Sequence, residues 1–66
     1  MNKERVVCFD IGGTNVKFGL LDKNGNIEHK DYFKTNINCG NEILTNMCKI
    51  IDFYKESKEV IGISIS

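Results

Sequence analysis

The chain has 66 residues, and its nine basic side chains balance nine acidic ones. That balance supplies neither a basic field to gather nucleic acid nor an acidic tail, and a charged fraction of 27% argues against a membrane span. A domain near this length buries only about 60% of the surface its unfolded chain exposes, so it is marginal alone and reads as one small domain or part of a larger one.

The polar start, Met1 to Arg5, runs into the apolar stretch Val6-Val7-Cys8-Phe9, which Asp10 interrupts. That stretch is too short for a signal-peptide core or a spanning helix, so a cytoplasmic protein is expected. Residues 5–11 read as a strand with apolar side chains on both alternating faces, which suits a central strand covered on each side. Gly12-Gly13 breaks it. A second strand, 16–21, sets Val16, Phe18 and Leu20 on one face against Lys17, Gly19 and Leu21 on the other. Asp22-Lys23-Asn24-Gly25-Asn26 then carries Asn-Gly, the strongest short hairpin signal. The third strand, about 27–35, is charged enough (Glu28, His29, Lys30, Asp31, Lys34) to predict a place near a sheet edge.

After a polar connection the period changes. Over about 41–57, Ile43, Leu44, Met47, Ile50, Ile51 and Tyr54 fall at helical spacing and predict an amphipathic helix, capped by Asn38 or Asn41. Residues 59–66 return to strand, with Ile61, Ile63 and Ile65 on one face and Gly62 and Ser64 on the other. The predicted fold is α/β in the order β-β-β-α-β: three antiparallel strands, then a helix that returns the last strand parallel to the first. The sequence stops inside that last strand, so residues 1–66 are expected to be the truncated start of a larger lobe. The fragment, with an unpaired strand and uncovered apolar faces, is expected to self-associate.

The chemistry concentrates in Asp10-Ile11-Gly12-Gly13-Thr14-Asn15. Paired glycines free the backbone and leave no side chain in the way, so successive N–H groups can converge on an anion. Thr14 adds a hydroxyl and Asn15 an amide. Asp10 would repel a bare phosphate, but suits a hydrated Mg²⁺ lying between acid and phosphate. The P-loop and dinucleotide patterns are excluded, because Gly12 lacks their companion glycines and the next element is a strand. The same six residues also suit a plain turn with Asp as its side-chain cap.

The longer stretch Asp10-Ile-Gly-Gly-Thr-Asn-Val-Lys-Phe-Gly-Leu-Leu-Asp22 closely resembles the first phosphate motif of the ROK family (repressor, open reading frame, kinase), within the actin-like ATPase superfamily. Ile61-Gly-Ile-Ser-Ile65 resembles the strand before that family's first substrate-side loop. The resemblance implies a partial lobe of ribonuclease-H-like topology with ATP in a cleft against a second lobe. It implies that Asp10 holds Mg²⁺ through water, that Gly12, Gly13 and Thr14 contact the β- and γ-phosphates, and that Asn15 and Lys17 lie nearby. Family kinases phosphorylate a hydroxyl of a hexose or amino sugar. The alternative is a ROK transcriptional regulator with a sugar-sensing body, although only five residues, mostly polar, precede Val6.

The family's catalytic base, sugar contacts, His/Cys zinc motif and adenosine site are missing from these residues. The fragment alone is therefore expected to be inactive while its parent is a kinase, and no catalytic residue is assigned. Asp22, Asp31 and Asp52 read as solvated carboxylates, and His29 as solvated or structural. Cys8, Cys39 and Cys48, odd in number and irregularly spaced, suggest reduced thiols rather than a disulfide framework or zinc site. Met47, Ile50, Ile51 and Tyr54 read as core packing, and Gly19 and Gly62 as points of close approach.

Overall fold

The computed structural model describes residues 3–35 and 40–66. Three strands, β1 (Glu4–Ile11), β2 (Asn15–Leu21) and β3 (Ile27–Lys34), precede helix α1 (Gly40–Lys55) and strand β4 (Glu59–Ile65). One sheet holds all four in the order β3-β2-β1-β4. β1 pairs antiparallel with β2, β2 antiparallel with β3, and β4 parallel with β1. The expected element order is met, and the charged third strand lies at the edge.

Alternation decides which face is dry. Val7 pairs with Leu20, Phe9 with Phe18 and Ile11 with Val16, so these side chains share one face. Val7, Phe9, Val16 and Leu20 are buried there with Met47 and Tyr54 of α1. Phe18, Phe33, Ile43, Ile50, Ile51 and Val60 pack around them. Five of the six residues in the predicted helical stripe therefore pack into or against the core. Leu44 does not, being 59% exposed.

Two expectations are corrected. β1 is central, but α1 covers only one of its faces; Val6 and Cys8 on the other are half-buried, and Asp10 is exposed. Asn41 is not the helix cap, because α1 already begins at Gly40, and the Asn41 carbonyl accepts a bond from Thr45 Oγ1 at 2.8 Å. Asn38, the other candidate, lies outside the described residues. On β4, Ile63 and Ile65 pair with Val7 and Phe9 and so share the core face. They remain half exposed, as does Ile61.

A bulge sits between β2 and β3, where Phe18 pairs with Asp31 and Leu20 with Glu28. Gly19 thus faces both His29 and Lys30, and His29 takes a left-handed φ of 56°. A Cβ on Gly19 would lie 2.7 Å from Ile27 Cγ2 and 3.3 Å from the Glu28 carbonyl oxygen, so this position requires glycine. Gly62 carries no such requirement: a Cβ there would meet Val6 Cγ2 at an ordinary 3.7 Å. α1 packs against the bulge, with Tyr54 Oη donating a long 3.4 Å bond to the His29 carbonyl and the two rings 6.1 Å apart. Burial raises the Tyr54 pKa, and the Asp31 charge adds to the rise. His29 is thus structural through its backbone and exposed through its side chain.

Beside the bulge, Arg5 Nε donates to Glu28 Oε1 at 2.6 Å, bridging over β2 from β1 to β3. That hydrogen bond and the guanidinium charge hold the Glu28 carboxyl below its usual range. Among the described residues no helix is long and apolar enough to cross a membrane.

Candidate phosphate site

Asp10 stands one residue before the end of β1 and pairs with Lys17 of β2. Its exposed side chain lies on the face opposite the core, because Phe9 and Ile11 point inward. Gly12, Gly13 and Thr14 make the reversal into β2. One bond closes it, from the Gly12 N–H to the Asn15 carbonyl at 2.8 Å. Among the described residues the N–H groups of Gly13 and Thr14 form no backbone hydrogen bond.

The reason for paired glycines differs from the one expected. Neither Gly12 nor Gly13 takes a positive φ, so freedom of backbone conformation is not what selects them. The other half of the expectation matches the geometry, since the missing side chains leave room. A Cβ on Gly12 would press the Asn15 carbonyl oxygen at 3.2 Å, and the space above Gly13 is open beyond 4 Å.

Asp10, Gly12, Thr14, Asn15 and Lys17 line one depression of about 240 Å³. A water occupies about 30 Å³ in the liquid, so this space holds several waters or a hydrated ion with its anion. Asp10 and Lys17 also line a larger groove of about 410 Å³, which runs along the uncovered sheet face past Cys8, Gly19 and Tyr32. Neither Asp10 nor Lys17 forms an ion pair within 4 Å among the described residues. A carboxylate, a lysine and the Thr14 amide, which forms no backbone hydrogen bond among the described residues, can together bind a phosphate with its cation.

Among the described residues no three His, Cys, Asp or Glu side chains gather as a metal cluster. A cation beside Asp10 would therefore take most of its ligands from phosphate and water, as Mg²⁺ commonly does. Cys8 is half-buried, Cys48 is exposed and both are free thiols; Cys39 lies outside the described residues. Asp52 is exposed as expected, and exposed Asp31 accepts its neighbour Tyr32's N–H at 2.8 Å. Asp22 departs from the expectation of a merely solvated acid. It is half-buried, and its Oδ1 accepts the N–H groups of Asn24 and Asn26, both at 2.9 Å. The Asn26 amide, then burial acting the other way, then the Asn24 amide set its pKa, with a net lowering.

Sequence reasoning missed Thr35. Its N–H donates to the Thr14 carbonyl at 2.9 Å, so the residue after β3 holds the first turn from the side. No local pattern announces a bond across 21 positions; only the β2–β3 register, with Asn15 paired to Lys34, carries that signal.

The ROK family model matches residues 6–66. The chain belongs to the ROK family. Two solved structures share its fold: a Listeria monocytogenes protein described as a proposed N-acetylmannosamine kinase (32% identity, TM-score 0.74) and a proposed sugar kinase from Cytophaga hutchinsonii (31%, 0.71). Each match covers 94% of this chain. The chain in turn spans 20% and 21% of those structures, about a fifth of their length. No curated protein matches it. The fold is thus the mixed α/β sheet of ROK sugar-kinase neighbours, and the phosphate-like turn lies within the matched region.

Proposed function

We propose that this chain is the N-terminal, phosphate-binding part of an ATP-dependent sugar kinase of ROK type. The observation that carries the reading is the depression at the first hairpin, lined by Asp10, Gly12, Thr14, Asn15 and Lys17, next to the Gly13 and Thr14 amides, which form no backbone hydrogen bond among the described residues. In this reading those amides and the Thr14 hydroxyl take the β- and γ-phosphates, and Lys17 neutralises charge nearby. Asp10 holds Mg²⁺ through water. The cation supplies charge neutralisation during phosphoryl transfer, a reaction that depends on positioning and electrostatics more than on covalent help from the protein.

The acceptor is a hexose or amino sugar, a reading supported by the Listeria neighbour's description. The groups that bind and activate the sugar hydroxyl belong to the remaining four-fifths of such a protein, so the 66-residue chain binds nucleotide weakly and turns nothing over. Calorimetry tests this directly. Heat on adding ATP should require Mg²⁺ and should be much smaller for AMP. No sugar phosphate should form with N-acetylmannosamine or glucose. Equal binding of AMP and ATP would defeat the phosphate assignment, and sugar phosphate made by the purified chain would defeat the assignment of catalysis to other residues.

A further inference from the structure

The turn is closed on its β1 side by one bond, from Gly12 N–H to the Asn15 carbonyl, and on its β3 side by another, from Thr35 N–H to the Thr14 carbonyl. The second has an electrostatic consequence. A peptide carbonyl is the negative end of its dipole, and a Thr14 carbonyl free to swing toward the depression would repel a phosphate. Held by Thr35, it points toward β3. Because the trans peptide is planar, the N–H of Asn15 must then point the opposite way, toward the β1 side of the turn. That N–H forms no bond to the Gly12 carbonyl among the described residues, although Gly12 donates to Asn15. The tie thus holds a negative group toward β3 and leaves the Asn15 N–H directed to the β1 side of the turn.

Resting on the phosphate reading above, we infer that Thr35 is a positioning residue for the phosphate turn, acting through its main-chain N–H on the Thr14 carbonyl. Its side chain is not the working part. Thr35 Oγ1 is buried and has no hydrogen-bond partner among the described residues, a cost to folding that an isosteric valine would remove.

Chemical synthesis of the 66-residue chain allows the N–H alone to be deleted, by replacing the Lys34–Thr35 amide with an ester. This form should bind Mg-ATP about five- to tenfold more weakly, with AMP binding and Tm little changed. Thr35→Val keeps the N–H and should bind Mg-ATP as the unmodified chain does. An ester at Tyr32, whose N–H donates to the adjacent Asp31 carboxylate, is the backbone control and should also leave binding unchanged. Undiminished Mg-ATP affinity in the Thr35 ester would overturn the inference. Failure of the unmodified chain to bind would instead defeat the phosphate reading. The tie is then judged on the free protein: displaced Gly13 and Thr14 amide shifts in the ester form support it, and unmoved shifts overturn it. Should the ester form not fold, hydrogen exchange of the Thr35 amide in the unmodified chain decides, with protection in favour and unstructured-rate exchange against.

Discussion

The two hairpin turns draw on the same small vocabulary of Asp, Gly and Asn and use it in opposite ways. In the second turn everything is spent on the turn itself. Asp22 accepts two backbone amides through its carboxylate, its own N–H reaches the Asn26 carbonyl at 2.9 Å, and Gly25 donates back to the Asp22 carbonyl at 3.2 Å. Gly25 sits at a φ of 85°, which only glycine adopts without strain. In the first turn, Asp10 stands outside the reversal, one internal bond closes it, and among the described residues the Gly13 and Thr14 amides form no backbone hydrogen bond. A turn that satisfies itself has nothing to offer a ligand. One that leaves donors facing open space does.

Substitutions should separate the two turns. The largest effect is expected from Asp10→Asn, which should weaken Mg-ATP binding about tenfold or more while leaving Tm unchanged, as read by calorimetry and thermal melting. Asp22→Ala should do the reverse, lowering Tm by several degrees with Mg-ATP affinity intact. If both substitutions moved the same quantity, the contrast between the turns would collapse.

The glycines sharpen the same point at smaller magnitude. Gly25→Ala forces a side chain into a left-handed backbone and should destabilise the fold by about 1 kcal/mol in urea unfolding. Gly13→Ala meets nothing within 4 Å and has no positive φ, so stability should hold or rise by about 0.4–1 kcal/mol. Its methyl would crowd the Gly13 and Thr14 amides that the phosphate reading uses, so Mg-ATP binding should weaken.

The smallest expected effect is on pH. Asp22 and Glu28 both have folded-state pKa values below their usual 3.8 and 4.5. A lowered carboxyl pKa means that the unfolded chain binds protons first on acidification. The stability these groups contribute is therefore complete above pH 4.5 and is lost as pH falls below those values. Both residues are only half-buried, so solvent screening keeps the effect small. Glu28→Gln should flatten the acid limb of a Tm-versus-pH curve slightly.

Much of the fold was legible in the sequence because periodicity is a strong local signal. The alternation of Val16, Phe18 and Leu20 and the helical spacing of Met47, Ile50, Ile51 and Tyr54 fixed the elements and their buried sides. The charges of β3 placed it at the edge. Less legible were features made by distant partners. Nothing beside His29 marks it for a left-handed bulge, since that conformation answers Gly19 across the sheet and the tyrosine of α1 above it. Leu44 fits the helical stripe but lies at its margin, beyond the reach of the sheet.

The candidate phosphate motif was visible as residue types in order, and five of its six nominated residues line one space. Its geometry was not visible. Paired glycines suggested an unusual backbone, whereas the turn uses ordinary φ values and needs the glycines for clearance. Thr35 was invisible for the same reason as the bulge: its role is set by strand register, and register is a property of the assembled sheet.

Titrating ¹⁵N-labelled protein with Mg-ATP reads both turns in one spectrum and tests the contrast most directly. The Gly13 and Thr14 amides should shift with increasing Mg-ATP, while those of Asn24, Gly25 and Asn26 stay still. A folded sample in which Gly13 and Thr14 do not respond, or in which the second turn moves as much as the first, would contradict the phosphate site.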